Sequence, residues 1–181
     1  MYTYCMTLKC AVRRHRKDSL SGGFYMKDEF IELYTAVYKD LYRYALYVLG
    51  NREDAEDAVG EAVVDAYAEF GKLRDKGAFK GWIFKILSAK CKRKLKGYVN
   101  KTLELDEALD TVVSVEAADI AGRVDLQNAF AMLDDRERQV IAMSLIAGYE
   151  GETIARLMKM NHNTVRTVKS RALEKLRRML V

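Results

Sequence analysis

Residues 148–180 read GYEGETIARLMKMNHNTVRTVKSRALEKLRRML, and this stretch decides the fold. Ile154, Ala155 and Leu157 give the apolar side of a short helix over 151–158. After a tight turn, Val165, Val168, Ala172, Leu176 and Met179 recur at a helical period over 162–179 and are expected to face inward. Two helices so separated predict a helix-turn-helix, with Asn161 or Asn163 capping the second. From Arg156 to Arg178 the basic residues are Arg156, Lys159, Arg166, Lys169, Arg171, Lys175, Arg177 and Arg178, opposed only by Glu174. That concentration fits a phosphate backbone, because each cation that meets a phosphate releases a condensed counterion. Side chains near the start of the second helix, His162, Asn163, Arg166 and Thr167, are placed to read base edges, while Lys175, further along, is expected to hold phosphate. A solvated basic helix is the plainer alternative, and it leaves the short helix and the turn unexplained.

Working outward, helical patterns at 118–133 and 135–147 complete a C-terminal body expected over 118–181. Residues 98–117 lose strong periodicity and turn acidic through Glu104, Asp106, Glu107, Asp110 and Glu116, which marks a linker. Upstream, Phe30, Tyr34, Val37, Leu41, Ala45 and Val48 recur at helical steps until Gly50 and Asn51. A second helix begins near Glu53 and Asp54, which suit the positive end of its dipole, and buries Ala55, Val59, Ala62, Ala66 and Phe70. Gly71 and Gly77 bracket a basic loop. A third helix then runs from Phe79 through Trp82, Ile83, Ile86 and Leu87 into Lys90, Lys92, Arg93, Lys94 and Lys96. These three form a helical body over 26–97. Residues 1–25, with Arg13, Arg14, His15, Arg16 and Lys17, read as a flexible basic extension, and Met26 is a candidate translation start. The expected architecture is all-α: two small helical domains joined by an acidic linker, not one merged core.

Composition agrees with a helical chain. Of 181 residues none is proline, 50% are apolar and 31% charged. The net charge of +5 is modest, but its distribution is uneven, with an acidic second helix followed by basic segments. Phe70, Phe79, Trp82 and Phe84 lie among those cations, where they either stack bases or, at helical spacing, fill the core. Cys5, Cys10 and Cys91 are an odd number without CxxC spacing, which fits reduced thiols. Cys5, Cys10 and His15 lack a fourth ligand at zinc-site spacing, so no metal and no cofactor is expected. No apolar run approaches the roughly 20 residues of a membrane span and no signal peptide opens the chain, so a cytoplasmic protein without membrane insertion is expected. His15 and His162 are the only histidines, and no phosphate-binding glycine loop, HExxH pattern or nucleophile elbow occurs. Catalysis is not expected.

Read in order, the segments resemble sigma factors of the extracytoplasmic-function type, within the sigma-70 family. The resemblance covers residues 28–180. In the first body it is carried by Leu41-Tyr42-Arg43-Tyr44-Ala45, Asp54-Ala55-Glu56-Asp57-Ala58-Val59, Glu61-Ala62, Phe79-Lys80-Gly81-Trp82 and Ile86. In the second it is carried by Leu133, Arg138 to Ile141, Gly148-Tyr149, Ile154-Ala155, Thr164-Val165 and Lys169 to Ala172.

The resemblance implies a chain that joins core RNA polymerase and directs initiation at promoters. Asp54, Glu56, Asp57 and Glu61 would dock on polymerase. Lys72, Arg74, Lys76, Lys80, Lys85, Lys90 and Arg93 would meet the minus 10 element and its melted non-template strand. His162, Asn163, Thr164, Arg166, Thr167, Lys169, Ser170 and Arg171 would bind the duplex of the minus 35 element. An anti-sigma factor is a further implied partner, and the acidic linker would thread toward the catalytic cleft. The chain departs from the family pattern at Gly60, where glutamine is usual, at Ala89 for asparagine, at Asp134 for proline and at Lys159 for glycine. Lys159 implies a turn conformation that suits a side chain. The competing reading is a helix-turn-helix regulator that never joins polymerase, and the first body is what such a regulator would not need.

Overall fold

The computed structural model describes residues 22–104 and 120–180, with side chains described over 26–98 and 126–180. The first body holds α1 (Gly22–Leu49), α2 (Arg52–Glu69), two 3-10 turns (Phe70–Lys72 and Lys76–Ala78) and α3 (Phe79–Glu104). The second holds α4 (Ile120–Ala131), α5 (Asp135–Ile141), a π turn (Ala142–Ile146), α6 (Gly151–Met158) and α7 (His162–Met179). No strand occurs among the described residues. The basic extension up to residue 21, the Cys5–Cys10–His15 trio and the linker acids beyond Glu104 lie outside the described residues.

Local chemistry sets the breaks. Gly50 leaves α1 with φ +79°, a conformation that suits a residue without Cβ. Asn51 then caps α2, its side-chain oxygen accepting from the Asp54 N–H at 2.7 Å. Asp134, standing where proline is usual, accepts from the N–H groups of Arg136 and Glu137, while Glu137 accepts from the Asp134 N–H, a complete capping box. Two helix ends differ from the sequence reading. Helix α1 starts at Gly22, ahead of the period that opens at Phe30. Helix α3 runs to Glu104, past residue 97, where the amphipathic pattern fades. The Tyr98 hydroxyl donates to Asp54 and ties that added turn to α2.

In the first body the inward stripes of all three helices meet in an aromatic knot. The Phe30 ring stands edge-on to Tyr67 at 5.2 Å, Phe70 at 5.1 Å and Phe79 at 5.6 Å. Phe70, Phe79 and Phe84 are buried, so they fill the core and do not stack bases. Each contributes about 1.5–3 kcal/mol by leaving water. In the second body Val140, Ile141, Met143, Ile154, Val165, Ala172 and Leu176 are buried. Val168 is half-buried, and Met179, expected inside, is 43% exposed because α7 runs past the end of the core.

The two helical bodies expected from the sequence are both present, but they are packed together. The two bodies dock, and their apolar clusters join into one. Tyr47 of α1 meets Phe130 of α4 with ring centroids 4.9 Å apart, and Phe84 of α3 meets Tyr149 edge-on at 5.4 Å. One Arg138 Nη donates to the Val48 carbonyl across the junction at 3.1 Å. These aromatic residues sit beside the main inward stripes, and charge patterning along the chain carries no sign of their pairing.

Candidate nucleic-acid interface

Helix α7 is held against the second body by Val165, Ala172 and Leu176, and the remainder of its circumference faces outward. At 100° per residue, Asn163, Arg166, Thr167 and Ser170 fall on one side, opposite that buried stripe. All four are exposed, as are His162, Thr164 and Arg171, while Lys169 is half-buried at the flank. The N-terminus of α7 is capped by Asn161, which accepts from the Asn163 N–H at 2.8 Å. Thr167 spends its hydroxyl proton on the Asn163 carbonyl at 3.0 Å, which leaves it an acceptor toward a ligand. The His162 ring packs on the start of α6: a Cβ built on Gly151 would lie 3.0 Å from Nε2. A glycine there lets the two helices of the motif approach.

The turn between them corrects one expectation. Lys159 does not enforce a different turn; it adopts φ 53°, ψ 48°, the left-handed conformation that glycine would take. Its N–H closes the end of α6 on Arg156. Lys175, expected to hold phosphate, has a partner within the second body. Its Nζ lies 2.7 Å from Oε2 of Glu137, a carboxylate whose side chain is only 7% exposed.

The cations of the first body divide into engaged and outward-facing groups. Lys72, Arg74, Lys85 and Arg93 are exposed, with Lys72 paired to Glu69 at 2.7 Å. Lys76 lies over the Phe70 ring, 3.3 Å from its centroid, and Lys80 pairs with Asp40 at 2.9 Å. Lys90 is buried between Asp65 at 2.6 Å and Glu61 at 3.3 Å. Four of the seven expected DNA contacts, Lys72, Lys76, Lys80 and Lys90, therefore have internal partners, that of Lys72 lying on the exposed surface. Lys80 also stands 5.9 Å from the Tyr149 ring, at the junction of the bodies.

The acidic set on α2 is likewise mixed. Glu56 pairs with Arg52 at 2.9 Å, while Glu61 and Asp57 are exposed along the helix. Asp54 turns inward to a cluster of donors: Lys94 at 3.0 Å, the Asn51 amide and the Tyr98 hydroxyl. Burial alone would raise the Asp54 carboxyl, but the hydrogen bonds from Tyr98, Asn51 and Lys94 outweigh it and hold it below its ordinary value. Burial, then the bond to Asp54, pushes the Tyr98 phenol up to about 12.

Sequence reasoning missed Arg138, Tyr149 and Glu137 as organising residues. Arg138 donates to the carbonyls of Leu133 at 2.9 Å and Val48 at 3.1 Å. Its partners are backbone atoms, which leave no mark in a sequence. Glu137 was findable, since an Asp three residues ahead of a Glu is a capping-box spacing. Among the described residues no group of His, Cys, Asp and Glu is arranged to hold a metal ion, and no helix is long and apolar enough to cross a membrane.

The sequence matches the family model for Sigma-70 region 2 over residues 33–99 and that for Sigma-70, region 4 over residues 129–178. It is 24% identical to the ECF RNA polymerase sigma factor SigM of Mycobacterium tuberculosis, over 98% of this chain and 91% of that protein. It is 29% identical to the RNA polymerase sigma factor SigV of Bacillus subtilis, over 77% of this chain and 83% of that one. The sigma factor RpoE of Bartonella quintana, solved in complex with the anti-sigma factor NepR, has the same fold, with a TM-score of 0.75 at 22% identity over 83% of this chain and 96% of that one. The two regions fall on the two bodies in order, and the chain belongs to the sigma-70 family of RNA polymerase sigma factors, in its extracytoplasmic-function class.

Proposed function

We propose that the chain divides promoter recognition between its bodies, the first reading the minus 10 element and the second the minus 35 element, while the α2 acids engage core RNA polymerase. The observation that carries the upstream half is the exposed face of Asn163, Arg166, Thr167 and Ser170 on a capped helix of a helix-turn-helix. Arg166 is the base reader, and Arg171, Arg177 and Arg178 supply phosphate contacts. In the first body Lys72, Arg74, Lys85 and Arg93 are the cations turned toward DNA. Glu56, Asp57 and Glu61 serve polymerase docking, and Asp54 braces α2 against α3 from behind them. The protein works in the cytoplasm, beside polymerase, as a binding factor and not a catalyst. The RpoE–NepR complex makes an anti-sigma protein a further partner to seek.

Size adds a condition. The two elements are centred about 25 base pairs apart, or about 85 Å of duplex at ~3.4 Å per pair. A compact body of this chain's length is only about 40 Å across. The docked bodies must therefore part before both elements are held, with the acidic segment between them as the tether. Parting also releases Lys80 from its place beside Tyr149.

The test is a pull-down with core polymerase followed by transcription from a promoter library. Capture of core and promoter-dependent initiation are expected. Duplex binding without either would point to a free-standing regulator and contradict the proposal.

A further inference from the structure

We infer that Lys175 sets the rotation of the reading helix toward the groove through its ion pair with Glu137, an inference that rests on the proposed upstream-element role of α7. Lys175 follows Arg166 by 175 − 166 = 9 residues, so at 100° each it lies about 180° around the α7 axis from it. A side chain there points away from a duplex that Arg166 faces. Its Nζ instead reaches Glu137 Oε2 on the first turn of α5, at 2.7 Å. The carboxylate is itself fixed, because the same oxygen accepts from the Asp134 N–H at 3.1 Å and Asp134 in turn caps α5. A rigid acceptor on the body of the domain thus holds the back of the helix whose front carries the readers.

This bond supplies what apolar packing lacks. Val165, Ala172 and Leu176 press α7 onto the body, but hydrophobic contact has no direction and tolerates some rotation. A charge-assisted hydrogen bond does not. Turning a helix by about 30° moves a side-chain tip about 6 Å from its axis by about 3 Å. That displacement takes a guanidinium out of reach of its base. Lys175 is in this sense a positioning residue for Arg166 and Asn163, and not a phosphate contact.

The experiment uses polymerase reconstituted with the full chain. Base preference at the upstream element is read from a randomised template library, alongside the salt dependence of promoter binding. Lys175→Met keeps the stem and removes the charge. The double variant Glu137→Gln with Lys175→Gln replaces the ion pair by a neutral amide hydrogen bond, and Arg166→Ala is the control for reading itself. Lys175→Met is expected to lower the preference for the favoured base by about fivefold or more at an unchanged salt slope, with partial recovery in the double variant. A slope reduced by about 0.9 with preference intact would make Lys175 a phosphate ligand and overturn the inference. Intact preference and slope with only a lower Tm would make it a structural brace and overturn the inference equally, as would a double variant no better than Lys175→Met. If Arg166→Ala leaves the preference unchanged, the upstream reading itself fails and carries this inference down with it.

Discussion

At Lys159 a side chain occupies backbone territory that favours glycine, with φ 53° in the turn of the helix-turn-helix. A left-handed non-glycine residue costs roughly 1–2 kcal/mol, of which the greater freedom of an unfolded glycine would offset part. Lys159→Gly is therefore expected to stabilise the domain by about 0.5–1 kcal/mol, read as a higher urea midpoint at constant m-value. An unchanged or lower midpoint would mean that the lysine side chain contributes contacts of its own. Asp54 offers a second test at this scale. Its carboxyl is held below the ordinary value in the folded chain, so it adds stability above the unfolded carboxylate pKa of about 3.9, and that stability is lost as pH falls through the folded value. Asp54→Asn should be the less stable protein at neutral pH, and the two stability curves should converge on acidification below about pH 4. Parallel curves down to that range would rule the mechanism out.

Among whole helices, capping and glycine content are the levers. Asn51 and Asp134 each satisfy N–H groups at a helix start, so Asn51→Ala is expected to lose about 1 kcal/mol of stability by chemical denaturation. Gly60 lies in mid-α2, exposed, with nothing within 4 Å of a Cβ placed there. Gly60→Ala should stabilise α2 by about 0.5–1 kcal/mol. A drop in polymerase capture by that same variant would show that the bare backbone at residue 60 is part of the docking surface. Most helix identities were legible because their apolar stripes keep a strict period, as in Phe30 to Val48 and Val165 to Leu176. The ends were less so. Helix α3 persists to Glu104 through a hydroxyl bond between Tyr98 and a residue 44 positions earlier, which no local pattern announces. The outward face of α7 could be placed from phase alone, whereas the ion pairs of Lys175, Lys90 and Lys76 are made with acids distant in sequence, Glu137, Asp65 and Glu29.

For the molecule as a whole, the junction between the bodies is where long-range packing departs most from what the chain announced. It combines ring contacts with polar atoms left without partners: the Tyr149 hydroxyl and Arg138 Nε are buried with no hydrogen-bond partner among the described residues. Burying such groups costs about 1–3 kcal/mol each, so the docked state is weaker than its apolar contacts imply, which suits the proposed parting of the bodies. Tyr149→Phe removes one such group and keeps the ring against Phe84, and it should favour the docked state. The expected readout is slower open-complex formation with core affinity retained; faster formation would contradict this reading of the junction. The central claim is that one chain holds two promoter elements through two separate bodies. Its most direct test is a hydroxyl-radical footprint of polymerase reconstituted with this chain on a template selected for initiation. Two protected patches about 25 base pairs apart are expected, with Arg166→Ala clearing the upstream patch alone. A single patch, or loss of both from that one substitution, would contradict the account.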